Sequence, residues 1–454
     1  MLEGNDLFRN IFNREPELAA RAPGRINLIG EHIDYNNCPV LPAAVNREIT
    51  ALAAFREDKK IIISSTQPGS KNREFFLEKE IPPFPIGDWG NYPKAAFLCM
   101  MDYTQRAGLS VKELPGLEIL YHSTIPGAAG LSSSSALVVI TALLFLTAYN
   151  VPEPEKLDLA ALLAEGEKYV GTQGGGMDQA AILFGKTNHA VKIRFNPLTI
   201  SYVPFPEEYD VIVADSLVKA PKTREALDKY NLRSMECRIA ATMLNRRLSE
   251  EHDCKNPVIF LGDLTEEKTG IPKDILNKDI WRFFHTAPYT LNEISIFFGE
   301  TPEATARRFC KRKDGSILPE PEEGFKLMQR FSHVMSEWNR VEDSAKALSQ
   351  KDMTFFGELM NQSHTSCRDL YEISCRELDE LTKISTEAGA LGSRLTGAGF
   401  GGCTVSVVPR EKTGKILHQI EKKYYLEYLG TKQDISESLF ATTLTQGAEC
   451  RRNR

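Results

Sequence analysis

The chain has no apolar run of about 20 residues, the length a membrane-spanning helix needs. Its longest, residues 136–148, is shorter and includes two threonines. It also lacks basic tracts and arginine-rich arms. A net charge of −6 over 454 residues argues against nucleic acid or an anionic membrane as main partner. No cysteines form a CxxC pair or stand at zinc-like spacing; the nine present are scattered, as expected of reduced thiols in the cytoplasm. The first residues, Met1-Leu2-Glu3-Gly4-Asn5-Asp6, have neither the basic nor the apolar region of a signal peptide. With 42% hydrophobic and 26% charged residues, the composition is that of a globular protein of two or three domains. Small-molecule chemistry is the default, and a monomer with no nucleic-acid or membrane partner is expected.

Two familiar phosphate motifs are missing as well. No GxxxxGK[ST] occurs, which excludes a Walker-type loop, and the HRD and DFG signatures of protein kinases are absent. A formal GxGxxG match at Gly397-Ala398-Gly399-Phe400-Gly401-Gly402 runs into Cys403-Thr404-Val405-Ser406-Val407-Val408. That follower reads as a strand, whereas a dinucleotide fingerprint requires a helix.

What is present is a run of four serines in Gly127-Ala128-Ala129-Gly130-Leu131-Ser132-Ser133-Ser134-Ser135-Ala136, leading into the apolar run. Small residues followed by hydroxyls at a helix start suit a polyphosphate. Backbone N–H groups and the helix dipole attract it, and a serine hydroxyl can reach a metal. The apolar run itself reads as a buried helix behind this loop.

Two further clusters carry chemistry. Arg25, Glu31, His32 and Asp34 crowd into ten residues with Gly30 between them. Such a set can bind several hydroxyls at once, as sugar recognition requires; a surface loop with internal salt bridges fits its composition equally well. In the second, Gly174-Gly175-Gly176 precedes Met177-Asp178, with Glu167 upstream on a helix. Three consecutive glycines point to a close approach or positive φ. Asp178 can then orient or deprotonate a hydroxyl and Glu167 can coordinate Mg2+, while a helix N-cap is the alternative for Asp178. The glycine run at residues 392–402 is expected to line the far wall of a nucleotide cleft, or to be a tight turn feeding a strand.

Strands are expected at residues 50–55, 61–64, 117–121, 210–215 and 403–408. A break is expected from 196 to 209, where Pro197, Pro204 and Pro206 crowd a polar stretch. This gives an N-terminal lobe at 1–205 and a C-terminal lobe at 206–454, with a helical insert of surface character at about 250–324. Residues 377–388 read as a helix stopped by Gly389, and the following glycine run and strand as the close of a β-α-β-like unit.

The three glycine-bearing motifs, in this order, resemble the GHMP kinase superfamily. Gly30-Glu31-His32-Ile33-Asp34-Tyr35 resembles the galactokinase signature. Gly171-Thr172-Gln173-Gly174-Gly175-Gly176-Met177-Asp178-Gln179 and Gly392-Ser393-Arg394-Leu395-Thr396-Gly397-Ala398-Gly399 are similar to the eukaryotic N-acetylgalactosamine kinase branch. The resemblance implies an α+β fold of two lobes with the active site in the cleft between them. It implies transfer of a phosphoryl group from ATP to the anomeric hydroxyl of galactose, with Mg2+ as cofactor.

By the same resemblance Asp178 is the catalytic base, and Arg25 keeps it ionised and counters charge on the phosphoryl group. Glu31, His32, Asp34, Gly176 and Tyr230 bind the sugar. Gly127, Gly130, Leu131, Ser132, Ser133, Ser134 and Ser135 hold ATP. Ser134 and Glu167 hold the metal, although four serines in a row leave that register open by one position. N-acetylgalactosamine remains open as substrate. A non-catalytic sensor of galactose and ATP is disfavoured by the intact Ser135-Ala136 pair, and an arabinose or uronic-acid kinase by the intact Glu31, His32 and Asp34.

Overall fold

The computed structural model describes all residues except 1, 86, 110–113, 128–129, 171–174, 196, 219–223, 313–314 and 454, and the side chains of 2–3 and 224–227. Its strands are β1 (Leu18–Ile29), β2 (Leu41–Phe55), β3 (Lys60–Ser65), β4 (Arg73–Phe76), β5 (Leu117–Ser123), β6 (His189–Phe195), β7 (Leu198–Pro204), β8 (Tyr209–Asp215), β9 (Gly392–Thr396), β10 (Cys403–Pro409), β11 (Leu439–Thr442) and β12 (Glu449–Arg452). A six-stranded sheet has the order β12-β1-β2-β5-β3-β4, with only β3 and β5 parallel. A four-stranded antiparallel sheet has the order β11-β8-β10-β9, and β6 and β7 form a separate hairpin.

The helices are α1 (Leu2–Phe12), α2 (Asn91–Arg106), α3 (Ser133–Ala148), α4 (Lys156–Gly166), α5 (Met177–Phe184), α6 (Arg224–Glu251), α7 (Glu266–Thr269), α8 (Lys273–Asp279), α9 (Leu291–Phe298), α10 (Pro302–Phe309), α11 (Leu327–Ser349), α12 (Met353–Asp369), α13 (Arg376–Glu387) and α14 (Thr413–Ile420). Among the described residues, no helix is long and apolar enough to cross a membrane. Helix α3 is apolar around its whole circumference, so it can only be satisfied by burial on all sides. It lies between β1 and β2, α2 and α5, with Val138, Val139, Ile140 and Leu144 fully buried. Each such side chain contributes about 1.5–3 kcal/mol of burial.

Strand β1 shifts register between Pro23 and Gly24. A proline cannot donate to the ladder and is accommodated at such irregularities. Just past the shift, the Arg25 N–H donates to the Leu131 carbonyl at 3.1 Å, tying the strand to the serine loop.

Three sequence expectations are corrected. Residues 196–209 are not simply a break, because the β6–β7 hairpin includes Pro197 and the chain passes to the second sheet only after Pro204. The β-α-β-like unit is instead an antiparallel hairpin of β9 and β10. Its connection, residues 397–402, is far shorter than the crossover of about a dozen residues that parallel strands need. The segment 250–324 is not mere surface decoration, because Leu261, Leu276, Ile294 and Phe309 are buried in the main core. The last strand, β12, also leaves the C-terminal segment to pair with β1.

Candidate active site

The serine loop ends at Ser132, which has left-handed backbone (φ 57°) and stands at the N-cap of α3. Its hydroxyl does not cap the helix but donates a short hydrogen bond to Asp178 Oδ2. The first-turn N–H groups of α3 thus face the loop with the positive end of the helix dipole. Gly127 borders open space, and Gly130 lies backbone against backbone with Gly397. Ser135 is buried, whereas Ser133 and Ser134 are half-buried. Ala128 and Ala129 lie outside the described residues.

Helix α5 is capped by Gly176 (φ 90°), so Asp178 sits in its first turn and is free of the N-cap role. Arg25 grips this carboxylate with two prongs, Nε to Oδ1 at 2.7 Å and Nη2 to Oδ2 at 3.0 Å. Its Nη1 donates to the Gly130 carbonyl at 2.6 Å. The Arg25 side chain is 7% exposed and that of Asp178 28%, so the pair is anchored on one side and open on the other. Asp34 approaches from the loop at residues 30–34, called the sugar loop after the role expected of it, and accepts the Gly175 N–H on Oδ2 at 3.1 Å. A Cβ at position 175 would stand 2.6 Å from that oxygen, and only glycine permits the approach. Gly174 lies outside the described residues.

The sugar loop is closely held. Glu31 is 3% exposed, and its Oε2 lies 3.1 Å from Arg394 Nη2. Asn27 and Arg394 both lie against this carboxylate beneath the loop. Burial raises Glu31 above its ordinary value, although Arg394 and Arg25 oppose it. His32 Nε2 lies 3.1 Å from the Ala398 carbonyl and Nδ1 2.8 Å from the Tyr35 hydroxyl. Burial lowers His32 to about 3, so the ring is neutral. A carbonyl only accepts; Nε2 therefore carries the proton and Nδ1 accepts from Tyr35. The imidazole expected to grip a sugar hydroxyl is already engaged at both nitrogens, and it ties the sugar loop to the third motif.

Tyr230 closes this wall, its ring centroid 5.3 Å from His32 and 6.3 Å from Tyr35. Burial raises its phenol, and the charges of Asp34 and Asp178 raise it further, which puts all three around one space. Burial also raises Asp34, to about 6, with Asp178 adding to the shift.

The galactokinase galactose-binding signature matches residues 6–55, the GHMP kinases N terminal domain 91–186 and the GHMP kinases C terminal domain 344–426. A galactokinase of Dictyostelium discoideum is 32% identical, the match covering 98% of this chain and 93% of that one. The chain belongs to the galactokinase family. A galactokinase of Saccharomyces cerevisiae is 31% identical over 90% of this chain and 85% of its own. The crystal structure of Lactococcus lactis galactokinase complexed with galactose superposes with a TM-score of 0.73 at 29% identity, covering 99% of each chain. A mevalonate kinase, at 19% identity and a TM-score of 0.54, shares the GHMP kinase fold.

In this galactokinase-family chain Glu167 is buried, and its Oε1 has no hydrogen-bond partner. Burial raises it to about 7, with Ser135 and Gln179 beside it pulling the other way. A buried carboxylate with an unsatisfied oxygen next to a serine hydroxyl fits a hard divalent cation. The neighbour is Ser135 rather than Ser134. One helical residue is a rotation of about 100°, and the inward face of α3 falls on Ser135.

The sequence reading assigned no role to Arg394, whose Nη1 donates to the Asn27 carbonyl at 2.8 Å. The motif containing it gave the only signal. Thr396 and Ala398 likewise brace the sugar loop through Asn27 and His32. Lys219 and Lys222 lie outside the described residues, as does the Arg224 side chain.

Proposed function

We propose that this galactokinase-family chain transfers the γ-phosphoryl group of ATP to the anomeric hydroxyl of galactose, giving galactose 1-phosphate and ADP. The observation that carries the reading is the placing of Asp178. Arg25 binds it by two prongs, and both Arg25 and Ser132 connect it to the serine loop. The acceptor's base and the donor's cradle are thereby in contact.

Phosphoryl transfer passes through a loose transition state, so catalysis is chiefly in-line positioning and charge neutralisation. Asp178 orients the anomeric hydroxyl and takes its proton; Arg25, fixed by Gly130, offsets charge on the transferring group. The triphosphate lies along Gly127 and residues 130–135, against the N-terminus of α3. Asp34, Glu31, Gly176 and Tyr230 surround the sugar, and His32 fixes the loop that carries two of them. Glu167 and Ser135 would hold Mg2+, which supplies charge neutralisation at the phosphate oxygens. A cytoplasmic location fits the nine free cysteines.

A coupled ADP-release assay with Mg·ATP against galactose, N-acetylgalactosamine, arabinose and glucuronate tests this. Galactose is expected to be turned over best; no turnover with any of the four would favour a sugar sensor instead. Asp178→Asn is expected to lower kcat by about a thousandfold while galactose binding stays measurable by calorimetry. Substantial residual turnover in that variant would remove the base role.

A further inference from the structure

The sugar loop has an unusual backbone. Gly30 has φ 104° and His32, a residue with a side chain, φ 60°. Such a conformation persists only where its surroundings over-determine it. On one side, residues 30 and 31 rest against one face of α11.

Glu337, on α11, is fully buried. Its Oε1 accepts the Gly30 N–H at 2.9 Å, the Glu31 N–H at 3.3 Å and the Ser363 hydroxyl at 2.6 Å. Its Oε2 accepts from Arg340 Nε at 2.7 Å. One turn earlier, His333 Nε2 lies 3.0 Å from the Glu31 carbonyl and so donates to it, while Nδ1 accepts from the Ser366 hydroxyl. One turn later, Val341 packs where a Cβ on Gly30 would fall. The N–H and the C=O of Glu31 are thus both held by residues four apart on one helix. Ser363 links this clamp to the other side of the loop, because its oxygen also accepts from Arg394 Nε at 3.1 Å.

A buried carboxylate is costly, and apolar packing would stabilise the fold as well or better. Burial pushes Glu337 upward, but Arg340 and Arg394 outweigh it and hold it down at about 2, so it stays ionised. An ionised acceptor makes stronger bonds to backbone N–H groups than a neutral one.

We infer that Glu337 is a positioning residue for the sugar: it fixes the backbone of Gly30 and Glu31, and so the placing of Glu31 and Asp34, while contacting neither substrate. The inference rests on the sugar-kinase reading above. Turnover of galactose by the unaltered protein tests that reading first, and the variant-to-parent ratios then test this one.

The experiment measures the KM for galactose and the KM for ATP separately in Glu337→Ala, Glu337→Gln and Ser363→Ala. In Glu337→Ala the galactose KM is expected to rise about tenfold or more, with the ATP KM within about twofold of the parent. Glu337→Gln keeps an acceptor oxygen for the two N–H groups and is expected to recover the galactose KM to within about threefold. Ser363→Ala removes one bond to Oε1 and is expected to raise the galactose KM about twofold to threefold, again alone. Should the alanine variant at 337 not fold, the other two decide. Equal rises in both KM values, a glutamine variant no better than alanine, or an unchanged galactose KM in folded Ser363→Ala would each overturn the inference.

Discussion

Asp34 is the residue whose chemistry should show most directly in solution. Burial and the neighbouring Asp178 raise it to about 6. Below that pH it is protonated and loses the negative charge with which, on the proposed reading, it accepts from sugar hydroxyls; above it the carboxylate is restored. At saturating Mg·ATP, kcat/KM for galactose is therefore expected to fall on the acid side with an apparent pKa near 6. A profile flat between pH 5 and 7 would contradict this. Ser135 gives a second test at the same scale. Since it is Ser135 that adjoins Glu167, Ser135→Ala should raise the Mg2+ concentration needed for half-maximal activity about tenfold, and Ser134→Ala should change it little. Arg25 and Asp178 could be singled out because their glycine-bounded motifs resemble those of the GHMP kinase superfamily; composition alone left a salt-bridged loop and a helix N-cap open for them. Glu337 was not legible: in Ser336-Glu337-Trp338-Asn339-Arg340 a lone glutamate beside an arginine reads as the solvated face of a helix.

Among the elements, the short turn Leu261–Asp263 shows what the sequence could not assign. A Cβ on Gly262 would lie 2.5 Å from the Asn37 carbonyl oxygen and 2.6 Å from that of Asn36. The segment 250–324 thus presses on the sugar loop immediately after the Asp34–Asn36 turn. Gly262→Ala should cost about 1–3 kcal/mol of stability through overpacking and raise the galactose KM more than the ATP KM. Thermal unfolding and steady-state kinetics together check both. Helix α3 was readable because an uninterrupted apolar run admits only burial. Strand β2 was seen only from residue 50, because Pro42, Arg47 and Glu48 interrupt the strand-like pattern of its first half. The β9–β10 hairpin was misread because the preceding helix α13 suggested a crossover that the short glycine connection cannot make.

At the scale of the whole molecule, β1 is the shared member. It carries Arg25, it packs under α3, and its outer edge is covered by β12 with Leu18 opposite Arg452 and Arg21 opposite Glu449. Nothing in Glu449-Cys450-Arg451-Arg452 marked it as a strand, since a short polar segment shows its type only through its partner. Deleting residues 449–454 removes four cross-strand pairs and bares the edge of β1. It is expected to cost about 1–4 kcal/mol and to promote association, read by thermal unfolding and light scattering.

Arg21 and Glu449 are 428 residues apart in the chain. The strand bearing Arg25 therefore leaves the ribosome some 428 residues before its edge partner. A nascent chain cannot close this edge before β12 has emerged, and until then β1 waits with one side open.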